Sequence, residues 1–225
     1  MNFDRFSAFF FDLDGTLVDS APDILALIRL VLKEAALPVP AMDTTLIGPP
    51  LEEIMAAMAP HSSVEDQQAL VLAYRKRYRV HDYGGTRVFS GIPGLLQHLR
   101  EQGCLLFVAT NKPNYVTRRL LERKGLLPLF TDIVCRDSDP SQALSKCAMI
   151  QKMLSQYGIP ASRAVMTGDS RLDMEGGRQA GVFTLAALYG YGGREALLHT
   201  QPDFVVEDES WHTVKTWPEG MQVCW

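Results

Sequence analysis

With 225 residues, 47% of them hydrophobic, the chain is long enough to bury a full core, as one large domain or as a large one carrying a smaller insert. Its net charge of -4 excludes a general attraction for nucleic acid or an anionic membrane, so any anionic ligand must be held by locally placed cations. No stretch approaches the ~20 apolar residues of a membrane span, and the early apolar run is broken by Asp12 too soon for a signal sequence.

Residues Phe6 to Phe11 form a continuous, aromatic-rich apolar run, the pattern of a parallel strand buried on both faces. Asp12 and Asp14 stand at its carboxyl end, where local folding has no need of them. Ser20-Ala21-Pro22-Asp23 has capping-box spacing, and Ile24, Leu27, Ile28, Val31, Leu32 and Ala35 follow at helical intervals until Pro38 and Pro40. A second helix is expected over Leu51 to Met58, after the turn-like Ile47-Gly48-Pro49-Pro50. A third begins at a capping box, Ser62-Ser63-Val64-Glu65, and runs through Leu70, Val71, Tyr74 and Tyr78. Arg75-Lys76-Arg77 and Arg79 form its wet face, with the tyrosines inward. No strand is expected between residues 19 and 85, and Tyr83-Gly84-Gly85-Thr86 closes the segment.

Beyond Gly91 helix and strand alternate. The expected order is helix Pro93 to Glu101, strand Cys104 to Ala109, helix Asn114 to Lys124, strand Asp132 to Cys135, helix Ser145 to Tyr157, strand Arg163 to Met166, helix Leu172 to Ala180, strand Val182 to Ala187, and a last strand Asp203 to Val206. Repeated units of this kind build an α/β fold, a doubly wound parallel sheet covered by helices. The expected organisation is a core of residues 1–18 and 86–225 with an inserted all-helical domain over 19–85.

Cys104, Cys135, Cys147 and Cys224 lack CxxC spacing, which suits thiols in a reducing cytoplasm and not a disulfide frame or a zinc site. The five histidines show no ligand spacing. The chemistry is elsewhere, because open α/β sheets bind ligands outside the carboxyl ends of their strands. There stand Asp12 and Asp14, then Thr110-Asn111-Lys112, then Gly168-Asp169-Ser170 with Asp173. Carboxylates so gathered repel one another unless a cation neutralises them. A hard divalent ion such as Mg²⁺ does so through oxygen ligands, and beside a lysine, a hydroxyl and helix N-termini it suits a phosphate group. Thr110 and Asn111 also fit a plain cap for the helix behind Pro113, and Asp169 and Asp173 fit a helix start, where acids are favoured by the dipole.

Asp12-Leu13-Asp14-Gly15-Thr16, Thr110-Asn111, a following lysine and Gly168-Asp169-Ser170-Arg171-Leu172-Asp173 resemble, in order, the four motifs of the haloacid dehalogenase superfamily. Leu17-Val18-Asp19-Ser20 and Gly190-Tyr191-Gly192 resemble its phosphoglycolate phosphatase-like branch. The resemblance implies a Rossmann-like core with a helical cap over 19–85, and a Mg²⁺-dependent phosphatase of a small phosphomonoester. Asp12 would be the nucleophile that forms an aspartyl-phosphate, and Asp14 the general acid and base, which needs a raised pKa. Thr110, Asn111 and Gly15 would bind the phosphoryl group, and Lys146 would neutralise it, with Lys112 or Lys152 as alternatives because the usual Lys-Pro pair is missing. Asp169 would hold Mg²⁺ together with Asp12 and the Asp14 backbone carbonyl, with Asp173 in support. A phosphosugar mutase and a catalytically silent binding protein are the rival functions. A carbon–halogen hydrolase is disfavoured, since dehalogenating relatives lack the second aspartate of the first motif. The implied partner is a small-molecule phosphomonoester, with neither nucleic acid nor membrane, and the chain would be a monomer or homodimer.

Overall fold

Strand β1 (Ala8–Phe11) shows why an unbroken apolar run suits this position, for its side chains alternate between two buried layers. Phe9 and Phe11 face one core with Leu106 and Val108, whereas Ala8 and Phe10 face another with Phe107, Ala109 and Met166. The rings of Phe10 and Phe107 stack with centroids 4.9 Å apart. The structure is a computed structural model and describes residues 5–216 and 222–223.

Five further strands extend the sheet in parallel or close it at one edge: β4 (Leu105–Thr110), β5 (Asp132–Cys135), β6 (Ala164–Gly168), β7 (Phe183–Ala187) and β8 (Phe204–Val206). Two strands not anticipated from the sequence, β9 (Val214–Thr216) and β10 (Gln222–Val223), add antiparallel pairing beyond β8. At three and two residues they are too short to leave a readable alternation. The order β10-β9-β8-β7-β6-β1-β4-β5 puts β1 between β4 and β6. The chain therefore reverses its direction of winding at β1, and the crevice outside its carboxyl end is the natural ligand site of such a sheet.

Helices α4 (Ile92–Glu101) and α5 (Asn114–Arg123) bury Leu95, Leu96, Leu99, Val116, Leu120 and Leu121 on the Phe9 side. Helix α6 (Lys146–Tyr157) buries Met149, Ile150, Met153 and Leu154 on the Phe10 side. Ser145 caps α6, accepting the Ala148 N–H at 3.2 Å, and Gly158 ends it at a φ of 62°. Helix α7 (Arg171–Gln179) follows β6, and a short α8 (Arg194–His199) precedes β8. The expected elements of this region are all present, displaced by a residue or two at their ends.

Helices α1 (Ala21–Glu34), α2 (Leu51–Met58) and α3 (Val64–Val80) occupy the expected helical stretch. Tyr74 and Tyr78 of α3 are buried, as is Met55 of α2, while Arg75 and Arg77 pair outward with Glu52 and Glu34. Three details differ from expectation. The Ser20 capping box does not form: its hydroxyl donates to Asp14, and Asp23 accepts instead from Gly85 and Thr86. On α3 the cap is Ser63, one residue later, whose hydroxyl accepts the Asp66 N–H without the reciprocal half of a box. The stretch also contains a strand residue, because β2 (Val18–Asp19) pairs antiparallel with β3 (Arg87–Val88) where the helical segment leaves and returns. Cys135 is fully buried, its thiol pushed up to about 12 by burial. Cys104, Cys135 and Cys147 form no disulfide, and Cys224 lies outside the described residues.

Candidate active site

The loop after β1 is tied down by one carbonyl. Leu13 C=O accepts the N–H groups of Thr16, Leu17 and Val18, at 3.4, 2.9 and 3.0 Å, while the Asp12 N–H donates to Thr167 C=O at 2.9 Å. Asp12 is thus held at the sheet edge and Asp14 projects from a tight turn. Gly15, at a φ of 84°, completes this turn.

Asp12, Lys146 and Asp173 form one buried ionic group. The Lys146 ammonium lies 3.0 Å from Asp12 Oδ1 and 2.7 Å from Asp173 Oδ1, and donates to Ala109 C=O at 2.8 Å. Burial raises the Asp12 carboxyl, Lys146 opposes it, and Asp173 and Asp14 push it up again, leaving it at about 6. Burial would lower the lysine, but Asp12 and Asp173 outweigh it and raise Lys146 above its usual value. Of the three lysines considered from the sequence, Lys146 is the one on Asp12; Lys152 is directed to Ser138 C=O.

Asp169, after β6, is buried and forms no ion pair among the described residues. It accepts from Thr16 Oγ1 at 2.8 Å and from the Tyr191 N–H at 2.7 Å. Burial, and then Asp12 and Asp173, drive its carboxyl well above the usual range. Carboxylate oxygens of Asp12, Asp169 and Asp173 lie within 4.8 Å of one another. Glycines make the room: a Cβ on Gly15 would meet Asp169 Oδ2 at 2.2 Å, one on Gly190 the Asp169 Cβ at 2.2 Å, and one on Gly168 the Asp173 Cβ at 2.3 Å. Three buried carboxylates stand against one ammonium, which reaches Asp12 and Asp173 but not Asp169, so the group has the oxygen donors and the excess negative charge that a small divalent cation such as Mg²⁺ satisfies. Asp173 also completes the capping box of α7, accepting the Ser170 N–H at 3.0 Å, so its helix-start and site positions coexist.

Asp14 stands apart from this trio. Its two oxygens take Lys112 Nζ at 2.9 and 2.8 Å, and Oδ1 also accepts from Ser20 Oγ. Lys112 is itself buried, with its ammonium 4.7 Å over the Tyr78 ring. Thr110 is buried at the end of β4, and its hydroxyl accepts the Lys112 N–H at 3.3 Å rather than capping α5. Asn111 Nδ2 donates to Gly48 C=O at 3.3 Å, linking the β4 loop to the loop before α2. Gly15, read from the sequence as a phosphate-binding residue, spends its N–H on Val18 C=O at 2.9 Å. What it contributes is clearance for Asp169.

Asp12, Asp14, Thr110, Asn111 and Lys112 open on a cavity of about 870 Å³, which Tyr74, Tyr78 and Pro49 close from the helical side. Spacing alone gave no role to several residues of this region. Tyr191 is the clearest: its hydroxyl donates to Asp19 Oδ1 at 2.8 Å and accepts the Ser20 and Ala21 N–H groups at 2.8 and 3.0 Å, while its own N–H holds Asp169. The only sequence signal for it is the flanking glycine pair, and a Cβ on Gly192 would meet the Asp169 carbonyl oxygen at 2.0 Å. His81, also without a ligand spacing, places Nε2 3.0 Å from Asp23 Oδ1 and so belongs to the junction of the helical segment and not to the site.

A family model described as haloacid dehalogenase-like hydrolase matches residues 9–187. Among curated proteins, a tyrosine-protein kinase, PtkA, of Mycobacterium tuberculosis is 36% identical over 81% of this chain, although the chain spans only 62% of that protein's length. A phosphoglycolate phosphatase of Xanthomonas campestris is 31% identical over 97% of this chain and 100% of its own. Among solved structures, a haloacid dehalogenase-like family hydrolase from Streptococcus pneumoniae superposes with a TM-score of 0.82 at 30% identity, covering 91% of this chain and 95% of that one. Four motifs met in order at one sheet edge, and a family match over most of the length, lead to one conclusion: the chain belongs to the haloacid dehalogenase-like hydrolases.

Proposed function

We propose that this protein is a Mg²⁺-dependent phosphatase of a phosphomonoester, with Asp12 as nucleophile. The observation that carries the reading is the division of labour between two aspartates two residues apart. Asp12 sits among Lys146, Asp169 and Asp173, and Asp14 faces the cavity with its own lysine.

Asp12 attacks phosphorus and the ester P–O bond breaks, leaving the phosphoryl group on the carboxylate. Asp14 gives a proton to the departing alkoxide, then takes one from water as that water attacks the aspartyl-phosphate, releasing phosphate and restoring Asp12. Lys146 holds one Asp12 oxygen and leaves the other for attack. The Thr110 hydroxyl and the Asn111 amide would hydrogen-bond phosphoryl oxygens. Asp12, Asp169 and Asp173, with the Asp14 carbonyl, would hold the metal, which when bound offsets the negative charge that otherwise opposes attack on a phosphate dianion.

Residues 1–18 and 86–225 then act as the core, and 19–85 as a cap that shields the site and contacts the leaving alcohol. The Xanthomonas relative's name supports phosphate release, whereas the mycobacterial relative's name supports transfer to a tyrosine hydroxyl. A panel of phosphomonoesters assayed for inorganic phosphate, with and without Mg²⁺, tests the first. Label passing from a phosphodonor to a tyrosine peptide without phosphate release would favour the second.

A further inference from the structure

The cavity in front of Asp12 is lined by two arginines that form no ion pair among the described residues. The other cations of its lining are already paired with carboxylates, and the carboxylates beside Arg136 are held by neutral donors. Lys112 is held by Asp14, and Arg75 by Glu52 at 2.6 Å. Asp137 accepts the Asn114 N–H at 2.9 Å, and Asp139 accepts from Ser141 N at 2.8 Å and Oγ at 2.6 Å. Arg79 and Arg136 remain, one from the helical side and one from the sheet side. The Arg79 guanidinium lies 4.7 Å above the Tyr115 ring. Among the described residues neither arginine has an ion-pair partner.

The position of Arg136 ties it to the reacting end of the cavity. It directly follows β5, in which Cys135 is the register partner of Thr110. Its N–H donates to Thr110 C=O at 3.0 Å, and its C=O accepts the Leu144 N–H at 2.8 Å, so its backbone is anchored beside a candidate phosphate ligand. A half-buried arginine has lost part of its hydration and gains most from a planar anionic acceptor. With about 870 Å³ of space, the cavity also falls within the roughly 300–1,000 Å³ typical of ligand sites and has room for a leaving group larger than a two-carbon acid.

We propose that the substrate's leaving alcohol is sugar-sized or larger and carries a second anionic group, a carboxylate or phosphate, that Arg79 and Arg136 receive while Asp12 takes the reacting phosphoryl group. This rests on the phosphatase reading above and names the substrate class it leaves open. Two matched pairs of compounds test it: fructose 6-phosphate against fructose 1,6-bisphosphate, and phenyl phosphate against 4-carboxyphenyl phosphate. The first pair adds a phosphate and the second a carboxylate, so the two sources of charge are separated.

In at least one pair kcat/KM is expected to favour the more anionic member by about 10- to 100-fold, the range of one or two charge-assisted hydrogen bonds. Arg136→Gln and Arg79→Gln should each reduce that ratio by about tenfold, mainly through KM, and Arg136→Lys by less. Arg118→Gln, on an exposed arginine of α5 outside the cavity, should leave the ratio as it is. Phosphate release without preference in either pair, or a preference untouched by both arginine substitutions, overturns this inference alone. If no member of the panel releases phosphate, the phosphatase reading falls, and the inference falls with it.

Discussion

Asp23, in the first turn of α1, binds the far end of the helical segment through Thr86: its Oδ2 accepts the threonine hydroxyl at 2.6 Å, and its Oδ1 the Gly85 N–H at 3.0 Å. The outgoing and returning connections are thereby joined at the point where β2 pairs with β3. Burial would raise the Asp23 carboxyl, but the Thr86 hydroxyl, the His81 ring beside it and the Gly85 N–H outweigh it and hold it below its usual value. A depressed carboxylate stabilises the fold above its unfolded pKa of about 3.9 and loses that contribution as pH falls through its lower folded value. Asp23→Asn should therefore cost about 1–3 kcal/mol in urea unfolding at pH 7, and this difference from wild type should shrink below about pH 4. A penalty independent of pH down to pH 2 would remove the ionised carboxylate from the account.

Asp12→Asn should lower turnover by at least about 10³-fold in a phosphate-release assay, because the amide is no nucleophile. The thermal midpoint should stay close to that of wild type, since shape and most contacts are kept. Turnover within tenfold of wild type would exclude Asp12 as the attacking group.

Lys146→Ala should be costly in both respects. It leaves Asp12 and Asp173 buried without their shared cation, a loss on the order of 3–5 kcal/mol in stability, and it removes the charge beside the reacting phosphoryl group. Lys152→Ala, whose ammonium is directed to an exposed carbonyl, should change neither the urea midpoint nor kcat/KM measurably. The reverse outcome would exchange their assignments.

Gly15→Ala should injure metal binding more than folding. The new methyl would lie 2.2 Å from Asp169 Oδ2, on a backbone with a φ of 84° that alanine adopts at a cost of about 1 kcal/mol. Mg²⁺ is expected to raise the thermal midpoint of the wild type, and that upshift should fall or vanish in this variant, while the metal-free midpoint drops by only a few degrees. An undiminished Mg²⁺ upshift would show that Asp169 is not needed for the ion.

Tyr78 supplies a ring to Lys112, yet its buried hydroxyl has no hydrogen-bond partner among the described residues. Tyr78→Phe keeps the ring and removes the unsatisfied oxygen, so its stability should match or exceed wild type by up to about 1 kcal/mol. Tyr78→Leu loses the ring face as well and should be less stable than Tyr78→Phe by about 1–2 kcal/mol in urea unfolding. Equal stabilities would show that the ring face contributes nothing to holding the ammonium.

Local patterns determined much of this molecule. The apolar run ending at Asp12, the helical periodicities and the glycines behind them made the sheet, its order of elements and the helical stretch legible, because burial on one or two faces leaves a period in the chain. The carboxyl ends of the strands were legible too, so Asp12, Asp14, Thr110, Asn111, Asp169 and Asp173 could be named before their positions were known. The tertiary structure decided the partnerships. Ser20-Ala21-Pro22-Asp23 reads as a capping box, but Ser20 turns back to Asp14 in the preceding loop and Asp23 reaches Gly85 and Thr86 at the far end of the helical segment. The choice of Lys146 on Asp12, the pairing of Lys112 with Asp14, and the bridge that Tyr191 makes from Asp169 to the first connection join residues roughly 100 or more apart. Periodicity records which face a residue buries, and only packing determines which distant charge it meets there.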